Sequence, residues 1–249
     1  MADGWRPAPR ELAIEPGAVH VWRVPLAPPT AQIAALGETL DDDERTRAAR
    51  FHFERDRTAF TVARGALRTL LGRYLDRDAG GIGFGYRDKG KPYLAGPTGH
   101  ALRFNLSHSG GYALLGFVRD REIGVDIEKR RDLSDLRALA HTSFSPSEFE
   151  AFCRVAPTDQ IRAFFACWSR KEAFIKATGE GVSQLTQFDV SLAPSEPAML
   201  LRVAGEFPGQ SRWSLQDLPA IPGYAAALVT EGHDLAVACW DWPPADRAI

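Results

Sequence analysis

Ile123-Gly124-Val125-Asp126-Ile127-Glu128 reads as a strand that ends in two acids. Side chains alternate along a strand, so Asp126 and Glu128 point the same way, about 7 Å apart, while Ile123, Val125 and Ile127 line the opposite face and anchor it in a core. Two carboxylates fixed side by side repel unless a positive charge lies between them. A strand end emerging into water would also hold them apart, so their meaning depends on the rest of the chain.

Working outward, Tyr112–Val118, a turn at Arg119–Glu122 and the quoted strand read as a hairpin. Before it, Leu102–His108 reads as a strand closed by Ser109-Gly110-Gly111. Gly223-Tyr224-Ala225 echoes Gly111-Tyr112-Ala113, and each is followed by a polar turn and a second strand. With the offset kept, Asp126 and Glu128 fall on Ala238 and Trp240, so the fold does not need the acids. Helices are expected from the acids at 41–44, over about 56–74, from Ser145-Pro146-Ser147-Glu148, and over about 159–178. Strands return over 198–203, 212–216, 223–230 and 235–240.

The fold class expected is α+β: two similar halves about a pseudo-twofold, each a small, mainly antiparallel sheet with a packed helix, and the active site in the cleft between them. The expected division is a loose Pro-rich arm over 1–17, a first half over 18–120 and a second over 121–249.

Thirty basic and 32 acidic residues give a net charge of −2, which argues against nucleic acid as a partner, so any anion site must be local. Cys153, Cys167 and Cys239 are too few and scattered for a disulfide framework or a zinc site and fit a reducing compartment. No run approaches the roughly 18 apolar residues of a membrane span. A cytoplasmic protein is expected. Only five residues are lysine (Lys89, Lys91, Lys129, Lys171, Lys176) against 25 arginines, all five between 89 and 176, as if a compact point charge were wanted there.

Glu172 and Lys176 lie one turn apart on one helix face, with Trp168 and Ile175 nearby. A surface ion pair is one reading. The other is that Glu172 completes a set of three carboxylates with Asp126 and Glu128, hard oxygen ligands suited to Mg²⁺ held against phosphates, with Mn²⁺ as the alternative. Ser107-His108 is not a nucleophile–base pair, because strand neighbours face opposite sides. The hydroxyl, the imidazole and the amides of Ser109-Gly110-Gly111 could instead hold an anion. Gly90-Lys91-Pro92 reads as a turn, and Arg47, Arg64 and Arg68 as solvated helix faces.

Taken together, Gly-Lys-Pro at 90–92, Phe-Asn-Leu-Ser-His-Ser at 104–109, Ile-Gly-Val-Asp-Ile-Glu at 123–128 and Trp-Ser-x-Lys-Glu-Ala-Phe-x-Lys-x-x-Gly-x-Gly at 168–181 resemble the 4′-phosphopantetheinyl transferases of the surfactin-synthetase-activating type. The resemblance spans roughly 40–190. It implies a monomer that binds coenzyme A between its halves. Phosphopantetheine would pass to a serine of an apo acyl, peptidyl or aryl carrier protein, releasing adenosine 3′,5′-bisphosphate. It further implies Asp126, Glu128 and Glu172 as the Mg²⁺ set and Lys176 as the pyrophosphate contact. Lys91, Ser107 and His108 would bind the nucleotide, with Arg47 and Arg64 as phosphate-binding arginines. Glu172 is the expected base for the carrier serine. A coenzyme A- or carrier-binding module without catalysis is the competing reading; loss of an acid or of Lys176 would favour it, and all are present.

Overall fold

The computed structural model describes residues 4–96, 101–194, 196–203 and 212–243. In chain order the elements are β1 (Arg6–Pro7), β2 (Ala18–Pro25), α1 (Thr30–Glu38), α2 (Asp42–Ala49), α3 (Glu54–Leu75), β3 (Phe84–Tyr86), β4 (Pro92–Leu94), β5 (Leu102–Ser109), β6 (Tyr112–Arg119), β7 (Ile123–Lys129), α4 (Leu136–Ser143), α5 (Pro146–Arg154), α6 (Gln160–Thr178), a 3-10 turn (Val182–Gln187), β8 (Phe188–Val190), β9 (Leu200–Val203), β10 (Trp213–Asp217), β11 (Tyr224–Glu231) and β12 (Ala236–Asp241).

Two sheets organise them, a first of order β1-β12-β2-β6-β5 and a second of order β10-β11-β7. The alternation of each strand decides what it faces. Trp22, Val24, Ala113, Leu115 and Phe117 turn one face of the first sheet onto Val62, Leu67, Leu70 and Leu71 of α3. Val19, Val21, Leu114 and Val118 turn its other face onto Ile123, Val125, Ile127 and Leu228. Ala227 and Val229 carry the far face of the second sheet onto Ala173, Phe174 and Ala177 of α6. The layers therefore run α3, sheet, sheet, α6, an α+β fold of two halves, each a sheet with its own helix. Ile123, Val125 and Ile127 are fully buried, each worth roughly 1.5–3 kcal/mol of apolar burial.

The helix starts follow the sequence chemistry. Ser145 and Glu148 form a capping box with Pro146 at the first helical position, and Asp41 and Glu44 form another; each satisfies amides that the first turn leaves without partners.

Three expectations are corrected. The hairpin over 112–128 does not form: β6 pairs with β2 and β5, and β7 pairs with β11, Ile123 opposite Thr230 through Lys129 opposite Tyr224. The strand after β6 crosses to the second sheet, and Ile123, Val125 and Ile127 pack between the two sheets.

Likewise β12, the strand after β11, returns to the first sheet beside β2. The stretch 121–249 therefore does not keep all its strands to itself. Finally, the described part of the arm, 4–17, is not loose. Arg6–Pro7 pairs with Trp240–Asp241, Ala8 and Ile14 are buried, and Trp5 Nε1 donates to the Pro219 carbonyl at 3.0 Å. Proline content suggested disorder, but a two-residue edge pairing and a few apolar side chains suffice to fix the segment.

Candidate active site at the seam between the sheets

Gly124 brings β7 against α6. A Cβ there would lie 2.0 Å from the Ala173 carbonyl oxygen and 2.4 Å from the Ala177 nitrogen. On the other side of β7, β5 joins it through side chains. Asn105 Oδ1 accepts from the Val125 amide at 2.9 Å, Ser107 Oγ from the Ile127 amide at 3.4 Å, and Ser109 Oγ from the Lys129 amide at 3.1 Å. Alternate side chains of one strand thus satisfy alternate amides of the other.

Asp126 and Glu128 project into this seam on one face, as their spacing requires. Asp126 is 1 % exposed. Its Oδ1 accepts from Ser107 Oγ at 2.8 Å and from Lys176 Nζ at 2.6 Å, and Lys176 also donates to Ser107 Oγ at 2.9 Å. Oδ2 is buried and has no hydrogen-bond partner among the described residues. A buried carboxylate oxygen without a partner is costly, and Lys176 offsets only part of that cost. Half-buried Glu128 accepts from Ser109 Oγ at 2.9 Å and from Trp168 Nε1 at 3.3 Å. Burial first, and then the Asp126 charge, raises its pKa above the ordinary value. Glu172 is raised too, by burial first and by Asp126 and Glu128, against the pull of Lys176. The three acids therefore share one electrostatic environment with Lys176 among them. Among the described residues they are not already gathered into a three-ligand metal cluster. They are the residues that could hold a divalent cation.

His108, next along β5, has an exposed surface, and its imidazole is held below the ordinary value. The protein packed around the ring disfavours its charged form first, and the positive charges of Lys176 and Arg47 add to this. Arg47 itself lies with its guanidinium 5.2 Å from the centre of the Phe60 ring. Ser107, Asp126 and Lys176 are thus joined by hydrogen bonds, Glu128 follows Asp126 on the same strand face, and Glu172 and His108 lie within reach of the Lys176 charge.

Residues 122–229 match the family model of the 4′-phosphopantetheinyl transferase superfamily, and 25–117 match a model described as 4′-phosphopantetheinyl transferase, N-terminal. The chain is 39% identical over 241 residues, 96% of either chain, to the 4′-phosphopantetheinyl transferase HetI of Nostoc sp.. The chain belongs to the 4′-phosphopantetheinyl transferase superfamily. The transferase is also 31% identical over 155 residues to 4′-phosphopantetheinyl transferase Sfp of Bacillus subtilis, 61% of this chain and 66% of that one. It is 28% identical over 224 residues to the L-aminoadipate-semialdehyde dehydrogenase-phosphopantetheinyl transferase of Xenopus laevis, 85% of this chain and 72% of that one.

Two expected ligand contacts in the transferase are committed elsewhere. Lys91 Nζ donates to Glu122 Oε2 at 2.7 Å, to the Ala177 carbonyl at 2.8 Å and to the Ile123 carbonyl at 3.2 Å. All three ammonium donors are used, so its side chain is a strut tying β4 to β7 and α6. Arg64 pairs with Glu44, stacks 4.0 Å over Phe84 and donates to the Tyr86 hydroxyl at 3.1 Å; it braces α2 against α3. Arg68 is fully buried on Glu44, Asp41 and the Ile82 carbonyl. One amide of the expected anion nest is also taken, since the Gly111 amide donates to the Tyr224 hydroxyl at 2.9 Å.

Sequence reasoning missed the roles of Asn105 and Ser109. The signal was there in Asn-x-Ser-x-Ser, three acceptor side chains at period two along a strand edge. Lys171, inside the helix motif, is no ligand. It is buried on Glu148 at 2.6 and 2.8 Å and on the Phe188 carbonyl at 2.7 Å.

Proposed function

We propose that this transferase moves 4′-phosphopantetheine from coenzyme A to a serine hydroxyl of an apo carrier protein, leaving adenosine 3′,5′-bisphosphate, as a cytoplasmic monomer that depends on Mg²⁺. No helix among the described residues is long and apolar enough to cross a membrane. The observation that carries the chemistry is Asp126: a buried carboxylate tied to Lys176 and Ser107, with its second oxygen unpartnered and two more acids beside it.

That donor set, all hard oxygen, fits a divalent cation such as Mg²⁺ or Mn²⁺, which Asp126, Glu128 and Glu172 would hold. When bound, the cation supplies charge neutralisation at the pyrophosphate of coenzyme A. Lys176, already on Asp126 and Ser107, contributes its remaining ammonium donor to the same anion. His108 and Arg47 offer donors to the nucleotide phosphate from the rim, and Ser107 orients Asp126. Lys91 and Arg64 support the cleft as struts. The Glu172 carboxylate makes no hydrogen bond or ion pair with the described residues, so it is available to take the proton of the incoming serine hydroxyl.

The test is mass spectrometry of apo carrier proteins incubated with the enzyme, coenzyme A and Mg²⁺. A gain of about 340 Da on one serine, the mass of a phosphopantetheine group, is expected, and no gain across acyl, peptidyl and aryl carriers sinks the proposal. Glu172→Gln is expected to lose transfer far more than coenzyme A binding; equal loss of both would reduce Glu172 to a metal ligand.

A further inference from the structure

We propose that Ser109 is a positioning residue for Glu128: its hydroxyl, locked by the Lys129 amide, aims its proton at the carboxylate and presets it for a divalent cation. This rests on the reading above that Glu128 helps hold the cation.

The device is used twice along one edge. Ser107 Oγ accepts from the Ile127 amide and donates to Asp126; Ser109 Oγ accepts from the Lys129 amide at 3.1 Å and donates to Glu128 Oε2 at 2.9 Å. In each case the amide that fixes the hydroxyl belongs to the residue after the acid. A hydroxyl whose acceptor face is taken by an N–H directs its single proton elsewhere, and here the carboxylate receives it. Asn105, the third member, binds the Val125 amide at 2.9 Å and has no acid to orient, so it shows what the ladder does without that added part.

Glu128 needs the help. It is only half-buried, so packing alone does not select one rotamer. Trp168 Nε1 reaches its other oxygen at 3.3 Å from α6. Ser109 and Trp168 therefore grip the carboxylate from the two layers on either side of it, and each oxygen keeps lone-pair capacity for a further partner. The backbone behind Ser109 is also fixed. Gly110 has φ +56°, and a Cβ there would meet Lys129 Cδ at 2.7 Å and the Tyr224 hydroxyl at 2.8 Å. The turn is thereby seated directly on the second half.

The test is Mn²⁺ binding to the full chain, followed by electron paramagnetic resonance with coenzyme A present, beside the Mg²⁺ dependence of transfer. Ser109→Ala should weaken Mn²⁺ by about tenfold or more, the usual cost of removing a partner of a metal ligand. It should raise the Mg²⁺ KM similarly, with kcat at saturating Mg²⁺ within about threefold of wild type. Ser109→Thr, which keeps the hydroxyl, should restore the affinity. Asn105→Ala should lower the unfolding midpoint and leave Mn²⁺ affinity intact, separating strand pairing from positioning. If Ser109→Ala does not fold, Ser109→Cys, a much weaker donor, takes its place with the same expectation. Unchanged Mn²⁺ affinity in Ser109→Ala, or a threonine variant as weak as the alanine one, overturns the inference alone. Wild type failing to bind Mn²⁺ overturns the proposed metal site with it.

Discussion

Gly124→Ala probes the contact that builds the site. The new Cβ would lie 2.0 Å from the Ala173 carbonyl oxygen, 2.4 Å from the Ala177 nitrogen and 3.0 Å from Ala177 Cα. These are backbone atoms of a helix and cannot rotate away. Real Cβ contacts essentially never fall below 3.0 Å, so β7 and α6 must separate by at least about 1 Å. Overpacking of this kind costs about 1–3 kcal/mol, and rigid neighbours place this case at the upper end. The same displacement lengthens the bonds from Lys176 to Asp126, 2.6 Å, and to Ser107, 2.9 Å. A misplacement near 1 Å costs on the order of 100-fold in rate. The assay is a denaturant midpoint alongside steady-state transfer at a temperature where the variant is folded. Gly65→Ala is the control: its Cβ would meet the Leu36 oxygen at 2.6 Å between α1 and α3, so it should lose similar stability and keep kcat. Wild-type kcat in Gly124→Ala, or equal loss of kcat in folded Gly65→Ala, would refute the reasoning.

Two further outcomes are expected. His20 is buried at 8 % exposure, its Nδ1 lies 2.8 Å from the Tyr74 hydroxyl, and burial lowers its pKa from 6.5 to about 4. The unfolded chain takes up this proton as pH falls below about 6.5 while the native chain resists it until about 4, so stability falls across that window. The loss from this group is about 2 kcal/mol between pH 7 and pH 5. It should appear as a steeper acid decline in wild type than in His20→Gln, and parallel declines would remove the assignment. Lys171→Met should destabilise by about 3–5 kcal/mol, because it strands the buried Glu148 carboxylate; adding Glu148→Gln, which removes the stranded charge and keeps an acceptor for the Ser145 and Val190 amides, should recover part of that, as read from urea unfolding.

What the sequence discloses is local chemistry. The period-two run Ile123–Glu128 places its acids on one face and its apolar residues on the other, and the helix motif places Glu172 and Lys176 one turn apart; both survive in the structure. Strand partners are non-local and escape such reading. Nothing in 112–128 tells a hairpin from a chain that changes sheets, since either choice buries Ile123, Val125 and Ile127. Lysines mislead for the same reason. Lys91, Lys171 and Lys176 look alike in sequence, but only Lys176 meets an acid with an unpartnered oxygen, while Lys91 and Lys171 find full sets of acceptors. In sequence Arg64 and Arg68 look like solvated helix faces, but their partner Glu44 on the preceding helix makes them internal braces.

Asp126→Asn tests the central claim most directly. The amide keeps the side-chain shape and an acceptor for Ser107 and Lys176, but it removes the charge and turns a ligand oxygen into a donor. Carrier-protein mass is measured at the time when wild type has gone to completion, with the unfolding midpoint taken in parallel. The account predicts a folded variant that leaves the carrier unmodified. Transfer at the wild-type rate by Asp126→Asn would contradict it.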